Sequence, residues 1–225
     1  MTVDVRIEDA IAIVTMDDGK ANAISNDLLD ALEPALDRAE AEASAVVLAG
    51  RPGRFCAGFD LRTVRDAPPA ERARLVQRGG RLLHRLYAYP KPLVAAATGH
   101  AVALGALILL AADTRIGARG DYKLGLNETA IGLPLPVFGL ELARARLRPE
   151  QLTAAVIQAR LYDPDSAAEV GYLDAVADEA EVVDSAIAVA RQLAELPTDA
   201  YRATKLSLRD ATLDTIARSL DTAAG

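Results

Sequence analysis

LVAAATGHAVALGALILLAAD, Leu93 to Asp113, changes hydrophobic period at its centre, and the rest of the chain can be placed around it. Leu93 to Ala97 is a short apolar run fenced by Pro90, Lys91 and Pro92, the pattern of a fully buried strand in a mainly parallel sheet. Thr98 and Gly99 break that run. From about Ala103 the sequence is rich in Ala and Leu and carries no charge until Asp113, which predicts a helix buried on all sides. Gly105 in its first turn lets another chain segment approach closely. The first N–H groups of such a helix lack partners within it and carry the positive end of its dipole, so they suit an anionic oxygen. The same residues also suit a plain core helix after a strand, and this stretch alone does not separate the two.

The chain has 225 residues, 51% of them hydrophobic, enough for one large domain with a substantial core. A net charge of −7 and a pI of 4.9 argue against nucleic acid as the main partner, which requires a basic face. Arg51, Arg54, Arg62 and Arg65 cluster locally and could serve a small anion or form an ordinary solvated loop. One cysteine, Cys56, and no Cys/His spacing leave neither a disulfide framework nor a metal site, which fits a reducing compartment. His84 and His100 would have to converge to form a catalytic pair. The N-terminus enters strand-like sequence directly, and no apolar run has membrane-spanning length. A soluble, cytoplasmic protein without membrane or nucleic-acid partners is expected.

Val3 to Ile7 and Ile11 to Met16 alternate as a hairpin. Ser25 can cap an amphipathic helix running to about Glu40, in which Pro34 should cause a kink or shift the start. Ala45 to Ala49 is a further buried strand, and it delivers FCAGFDL, Phe55 to Leu61. That segment is too short and too interrupted by glycine for an element of its own, so it reads as a tight connection. Pro69 to Tyr87 has helical spacing of Leu75, Leu82, Leu83 and Leu86, with Arg on the other face.

Thr114 to Ala118 and Tyr122 to Leu124 read as strands leading into GLNETAIGLPLP, Gly125 to Pro136. Glu128 there is flanked by apolar residues. It either faces solvent on a loop or sits in a site of low polarity, which would raise its pKa and suit a general base. Helical patterns then cover Val137 to Arg146, Gln151 to Ala159, Pro164 to Val170, Glu179 to Leu196, Asp199 to Ala211 and Leu213 to Ala223, with a strand-like Tyr172 to Val176 among them. The whole predicts a mixed α/β spiral of repeated strand, strand, helix units over 1–162 and a helical C-terminal subdomain over 163–225. No clean sequence repeat accompanies it.

FCAGFDL at 55–61, KPLVAA followed by GHAVALGALILLAAD at 99–113, GLNETAIGLPLP at 125–136 and AAEVGYLDAV at 167–176 together resemble the crotonase superfamily, the enoyl-CoA hydratase and isomerase fold. The resemblance implies the Clp/crotonase spiral, an acyl-CoA thioester substrate, and no cofactor beyond the coenzyme A carried by that substrate. It also implies a homotrimer or a dimer of trimers. In the family two backbone N–H groups hold the thioester oxygen, and by position these belong to Phe59 and Leu104. Such a donor is worth about 3 kcal/mol of transition-state stabilisation. Coenzyme A would bend around Asn22, Ala23 and Ile24 and the backbone of Ala57, Gly58, Asp60 and Leu61, with Arg54 and Arg62 as phosphate candidates.

The sequence departs from the hydratase pattern at two places. Ala103, Leu104 and Gly105 replace three consecutive glycines, so a Leu side chain needs room beside the acyl group. Of the two carboxylates of the hydratases, the helix position is Leu107 and the loop position is Glu128. One Glu in an apolar setting, near Ile131, is poor at positioning water and well suited to moving a proton. The resemblance therefore implies a Δ3-Δ2 enoyl-CoA isomerase with Glu128 as the single acid/base. The alternatives are a hydratase using another group, for which Asp60 is the nearest carboxylate, and a non-catalytic acyl-CoA binder. A Clp-type serine protease is disfavoured, since neither oxyanion segment contains Ser and there is no Gly-x-Ser-x-Gly.

Overall fold

The computed structural model describes residues 2–222. The hairpin forms as expected from β1 (Thr2–Glu8) and β2 (Ile11–Asp17), paired antiparallel. β3 (Ala45–Gly50), β5 (Leu93–Ala97), β7 (Thr114–Ala118) and β9 (Ala175–Ala177) then add in parallel, giving a sheet of order β1-β2-β3-β5-β7-β9. A second parallel sheet consists of β4 (Gly53–Cys56), β6 (Gly99–Val102) and β8 (Leu124–Gly125). From β3 to β8 each turn of the spiral lays one strand in the large sheet and the next in the small one, then crosses back through helix. α1 (Asn26–Glu42) follows β2, α2 (Leu61–Asp66) and α3 (Pro69–Tyr87) follow β4, α4 (Leu104–Ala111) follows β6, and α5 (Val137–Arg146) follows β8.

The small sheet corrects two readings. Phe55 and Cys56 are the end of β4, so only Ala57–Asp60 is connection, and the chain after Thr98 continues as β6. These strands are too short to show a period. β8 starts at Leu124, not Tyr122.

The central strands are apolar throughout because both faces of the large sheet are covered. Val46, Leu48, Ala95 and Ala97 face the main core, whereas Val47, Ala49, Val94, Ala96 and Ile116 face α7 (Val182–Ala194) through Val182, Ala186, Ile187 and Ala190. The chain after Asp163 is thus not set apart from the rest: α6 (Pro164–Val170) leads to β9, which extends the large sheet. Asp174 locks that return, its carboxylate taking the Arg115 guanidinium of β7 at 2.5 and 2.9 Å. Residues 153–157 form a π-helical turn. No helix among the described residues is long and apolar enough to cross a membrane.

Ser25 caps α1, accepting from Leu28 N–H at 3.2 Å. Pro34 does not shift its start; it lies on the exposed face of the helix, as does Asp30, whose carbonyl loses its i+4 donor to the proline ring. The two expected helices at the C-terminus are one, α8 (Thr198–Thr222), and Ala223 lies outside the described residues. Its buried stripe is Lys205, Arg209, Leu213, Ile216 and Leu220, spaced four, four, three and four. Two members are cations, so an apolar periodicity sees a break where the helix has none.

Those cations converge on Asp113. Its carboxylate is 2.6 Å from Lys205 Nζ and 3.0 Å from Arg209, and it accepts from Leu93 N–H at 2.8 Å. Lys205 also donates to the carbonyls of Tyr89 and Lys91. The side chains are 5–8% exposed, so the cost of stranding a charge is high. Asp113→Asn is expected to lower unfolding free energy by about 3 kcal/mol, read from the denaturant midpoint, with partial recovery when Lys205→Met is added.

Candidate active site

Two segments run side by side like rails under the site. Ile24 N–H donates to Gly58 O at 2.8 Å, Asp60 N–H to Ile24 O at 2.9 Å and Ala57 N–H to Ala21 O at 3.1 Å. In this parallel bridge between Ile24 and Phe59, the flanking residues make the bonds and the Phe59 N–H is directed to the other side. Asn22, fully buried with φ 52°, ties the rails down. Its amide donates to the carbonyls of Met16, Arg54 and Phe55 at 2.8, 3.1 and 3.2 Å, and its Oδ1 accepts from Asp18 N–H.

The N-terminus of α4 meets these rails. A Cβ added to Gly58, whose φ is +92°, would lie 2.8 Å from Ala103 Cβ and 3.5 Å from Leu104 N. One added to Gly105 would lie 2.1 Å from Cys56 O, so the helix start packs backbone to backbone on the end of β4, as expected of that glycine. Among the described residues neither Phe59 N–H nor Leu104 N–H is bonded to an acceptor. Ala103, the residue that turns the chain into the helix, has φ 51° and ψ −124°, strained for an L-residue. Strain of this kind gathers at sites whose geometry matters more than their stability.

Phe59 and Leu104 open onto a cavity of about 670 Å³ lined mainly by apolar side chains of α2, α3, α4 and α5, the 127–137 loop and the end of α8. Leu104 finds its room on α3. A Cβ on Gly79 would be 2.5 Å from the Phe59 ring and 3.3 Å from Leu104 Cδ2. Glu128 stands in the same cavity, and among the described lining residues it is the one carboxylate. Its Oε2 is buried without a partner, as is Asn127 Oδ1 beside it. Burial pushes the Glu128 carboxyl above the ordinary range, opposed by its own N–H and that of Asn127. Leu107, 1% exposed, faces Glu128's cavity from α4. The arrangement offers two fixed N–H donors at a helix N-terminus and a basic carboxylate in an apolar wall. It can stabilise an oxyanion and move a neighbouring proton.

Of the residues singled out from sequence, Glu128, Phe59, Leu104, Ala57, Leu61, Leu107 and Ile131 come together on this cavity. Asn22, Ala23, Ile24, Gly58, Asp60 and Gly105 do not line it. They build its frame: Ala23 N–H bonds the Asp18 carboxylate, and Asp60 caps α2 by accepting from Arg62 and Thr63 N–H at 2.7 and 3.3 Å. Arg54 and Arg62 stand off the cavity, and the arginines that border it are Arg65 and Arg72. His84 and His100 do not meet there. Sequence reasoning did not reach the contribution of Val76, Gln77, Phe138 and Leu220; the adjacent Gly79 and Gly80 in a long helix were the available signal of close approach.

The turn makes a prediction of opposite signs. Ala103→Gly should raise stability by about 1 kcal/mol by relieving the strained φ. Gly105→Ala should lower it by about 1–3 kcal/mol through the clash with β4. Both are read from denaturant midpoints.

The family model described as Enoyl-CoA hydratase/isomerase matches residues 6–224. A crystal structure of an enoyl-CoA hydratase/isomerase family protein from Pseudomonas syringae superposes with a TM-score of 0.95 at 39% identity, covering 98% of this chain and 95% of that one. A putative enoyl-CoA hydratase of Thermus thermophilus is 33% identical over 201 residues, 87% of this chain and 79% of the relative. The human mitochondrial enoyl-CoA delta isomerase 1 is 29% identical over 215 residues, 94% of this chain and 71% of the relative. By the extent of these matches and the spiral they share, the chain is an enzyme of the enoyl-CoA hydratase/isomerase family, within the crotonase superfamily.

Proposed function

We propose that the protein moves the double bond of an enoyl-CoA thioester from the 3 to the 2 position, with Glu128 as its single acid/base. The observation that carries this reading is the lone carboxylate: Glu128 with one buried, unpartnered oxygen, facing a cavity in which α4 presents Leu107. The thioester oxygen accepts from Phe59 and Leu104 N–H. Glu128 removes a C2 proton, the electron pair passes into the carbonyl as a dienolate, and the same carboxyl returns the proton at C4. No other reactant is consumed. The apolar surroundings strengthen Glu128 as a base and make its short-lived neutral form easy to reach.

Hydration is the second reading, favoured by the hydratase names among the relatives. It needs a further polar group to hold water, and the nearest motif carboxylate, Asp60, is engaged in capping α2. The reading also carries the homotrimer or dimer of trimers implied by the resemblance, for which light scattering of the purified chain is the measurement.

Matched 3-enoyl-CoA and 2-enoyl-CoA substrates separate the reactions. Isomerisation of the former, lost by about 10²–10⁴-fold in Glu128→Gln, is the expected result. Hydration of the 2-enoyl substrate without isomerisation would sink the proposal. Activity should fall as pH drops through the raised Glu128 pKa, hence at a pH above that of an ordinary carboxylate. The raised folded-state pKa also means that the ionised form is disfavoured by folding. Glu128→Gln should therefore be more stable than the parent at neutral pH and lose that advantage below the unfolded carboxyl pKa, which thermal melts at both pH values will read.

A further inference from the structure

The lining of the cavity has an exposed part and a buried part. Leu61, Ile131, Leu133 and Val137, 39–49% exposed, form its rim, with the exposed Arg65 and Arg72 beside them. Phe138 and Leu220, 3% and 7% exposed, seal a buried part of its wall. A charged nucleotide is disfavoured against that buried apolar wall, which suits the acyl tail.

The seal rests on one backbone position of α3. A Cβ added at Gly80 would lie 2.5 Å from Leu220 Cδ2 and 2.8 Å from the Phe138 ring, so both side chains are seated against a glycine. Gln77, one turn away on the same helix, donates to Leu220 O at 3.2 Å and holds the end of α8 in place. Ser219, the other polar residue there, donates to Ile216 O at 2.7 Å. The polar donors near the seal are thus engaged with backbone carbonyls, and the Phe138 and Leu220 side chains that line the cavity beside them are hydrocarbon.

We infer that Leu220, seated on Gly80 and backed by Phe138, is the residue that sets acyl chain length, and that the pocket takes a plain hydrocarbon tail ending against it. This rests on the acyl-CoA reading above and goes beyond it in assigning the floor of the pocket to the C-terminal helix. Two substitutions should act in opposite directions. Leu220→Ala removes the floor and admits a longer tail. Gly80→Ala drives Leu220 and Phe138 off α3 into the cavity, because their other sides are packed in the main core, and shortens it.

The test is calorimetric binding of saturated acyl-CoAs from butanoyl to hexadecanoyl, which bind without turnover. The parent should gain affinity with each added carbon up to a limit and then stop. Leu220→Ala should move that limit to longer chains and Gly80→Ala to shorter ones, with affinity changing about tenfold for each pair of methylenes gained or lost. Leu220→Val, expected to lengthen the limit less, keeps the test intact where the alanine variant does not fold by circular dichroism. A limit unmoved by either site, or moved the same way by both, overturns the assignment. Failure of the folded parent to bind any acyl-CoA is a different result, which removes the acyl-CoA reading itself and the assignment with it.

Discussion

Everything in this molecule depends on the distance at which α4 meets the end of β4. Gly105 brings the helix start so near Cys56 O that a single methyl group would not fit. That approach carries the Leu104 N–H to the neighbourhood of the Phe59 N–H. It also requires the chain to turn through Ala103 in a strained conformation, held by the bond from Ala103 N–H to Gly125 O at 2.9 Å. The two sheets of the spiral are the means of holding it: β4, β6 and β8 align in parallel so that the connections after them converge on one place.

The site built there is lined mainly by apolar side chains, and the electrostatics of Glu128 follow from that lining. A carboxylate whose Oε2 has no partner is destabilised in its charged form, which raises its basicity. The Phe59 and Leu104 N–H groups, the latter at the positive end of the α4 dipole, stand on other elements than Glu128, so attraction for negative charge and readiness to take a proton sit on different groups. Leu107 presents an apolar side chain to the same cavity.

The C-terminal part serves this centre from outside. α7 covers the far face of the large sheet, and β9 extends it. α8 reaches back across α3 and α5, anchored at its middle by Lys205 and Arg209 on Asp113. Asp113 immediately follows the turn at the end of α4, and its N–H bonds Leu93 O at the start of β5. The same carboxylate therefore links the central strand, the central helix and the last helix.

Local patterns were enough for much of this. The period change between Ala97 and Ala103 identified the buried strand and helix, the boundaries of α3, α5, α6 and β7 follow from apolar spacing and proline, and the four motifs fixed the order of the spiral. Glu128, Phe59 and Leu104, which line one cavity, could be named as candidates because motif order is a property of the chain. Local patterns failed where the deciding neighbour is distant in sequence. The two-residue and four-residue strands of the small sheet carry no period of their own, α8 looks broken because its buried stripe uses cations that only Asp113 justifies, and the three carbonyl partners of the buried Asn22 amide are visible only in the fold. Whether Glu128 faced solvent or an apolar wall was undetermined by its own flanks, since desolvation is set by α3, α4 and α8 closing around it. Sequence by itself determined the order of the motifs and the candidate residues they carry; tertiary structure decided the polarity around those residues and the shape of the cavity, because burial is a property of neighbours that no local stretch contains.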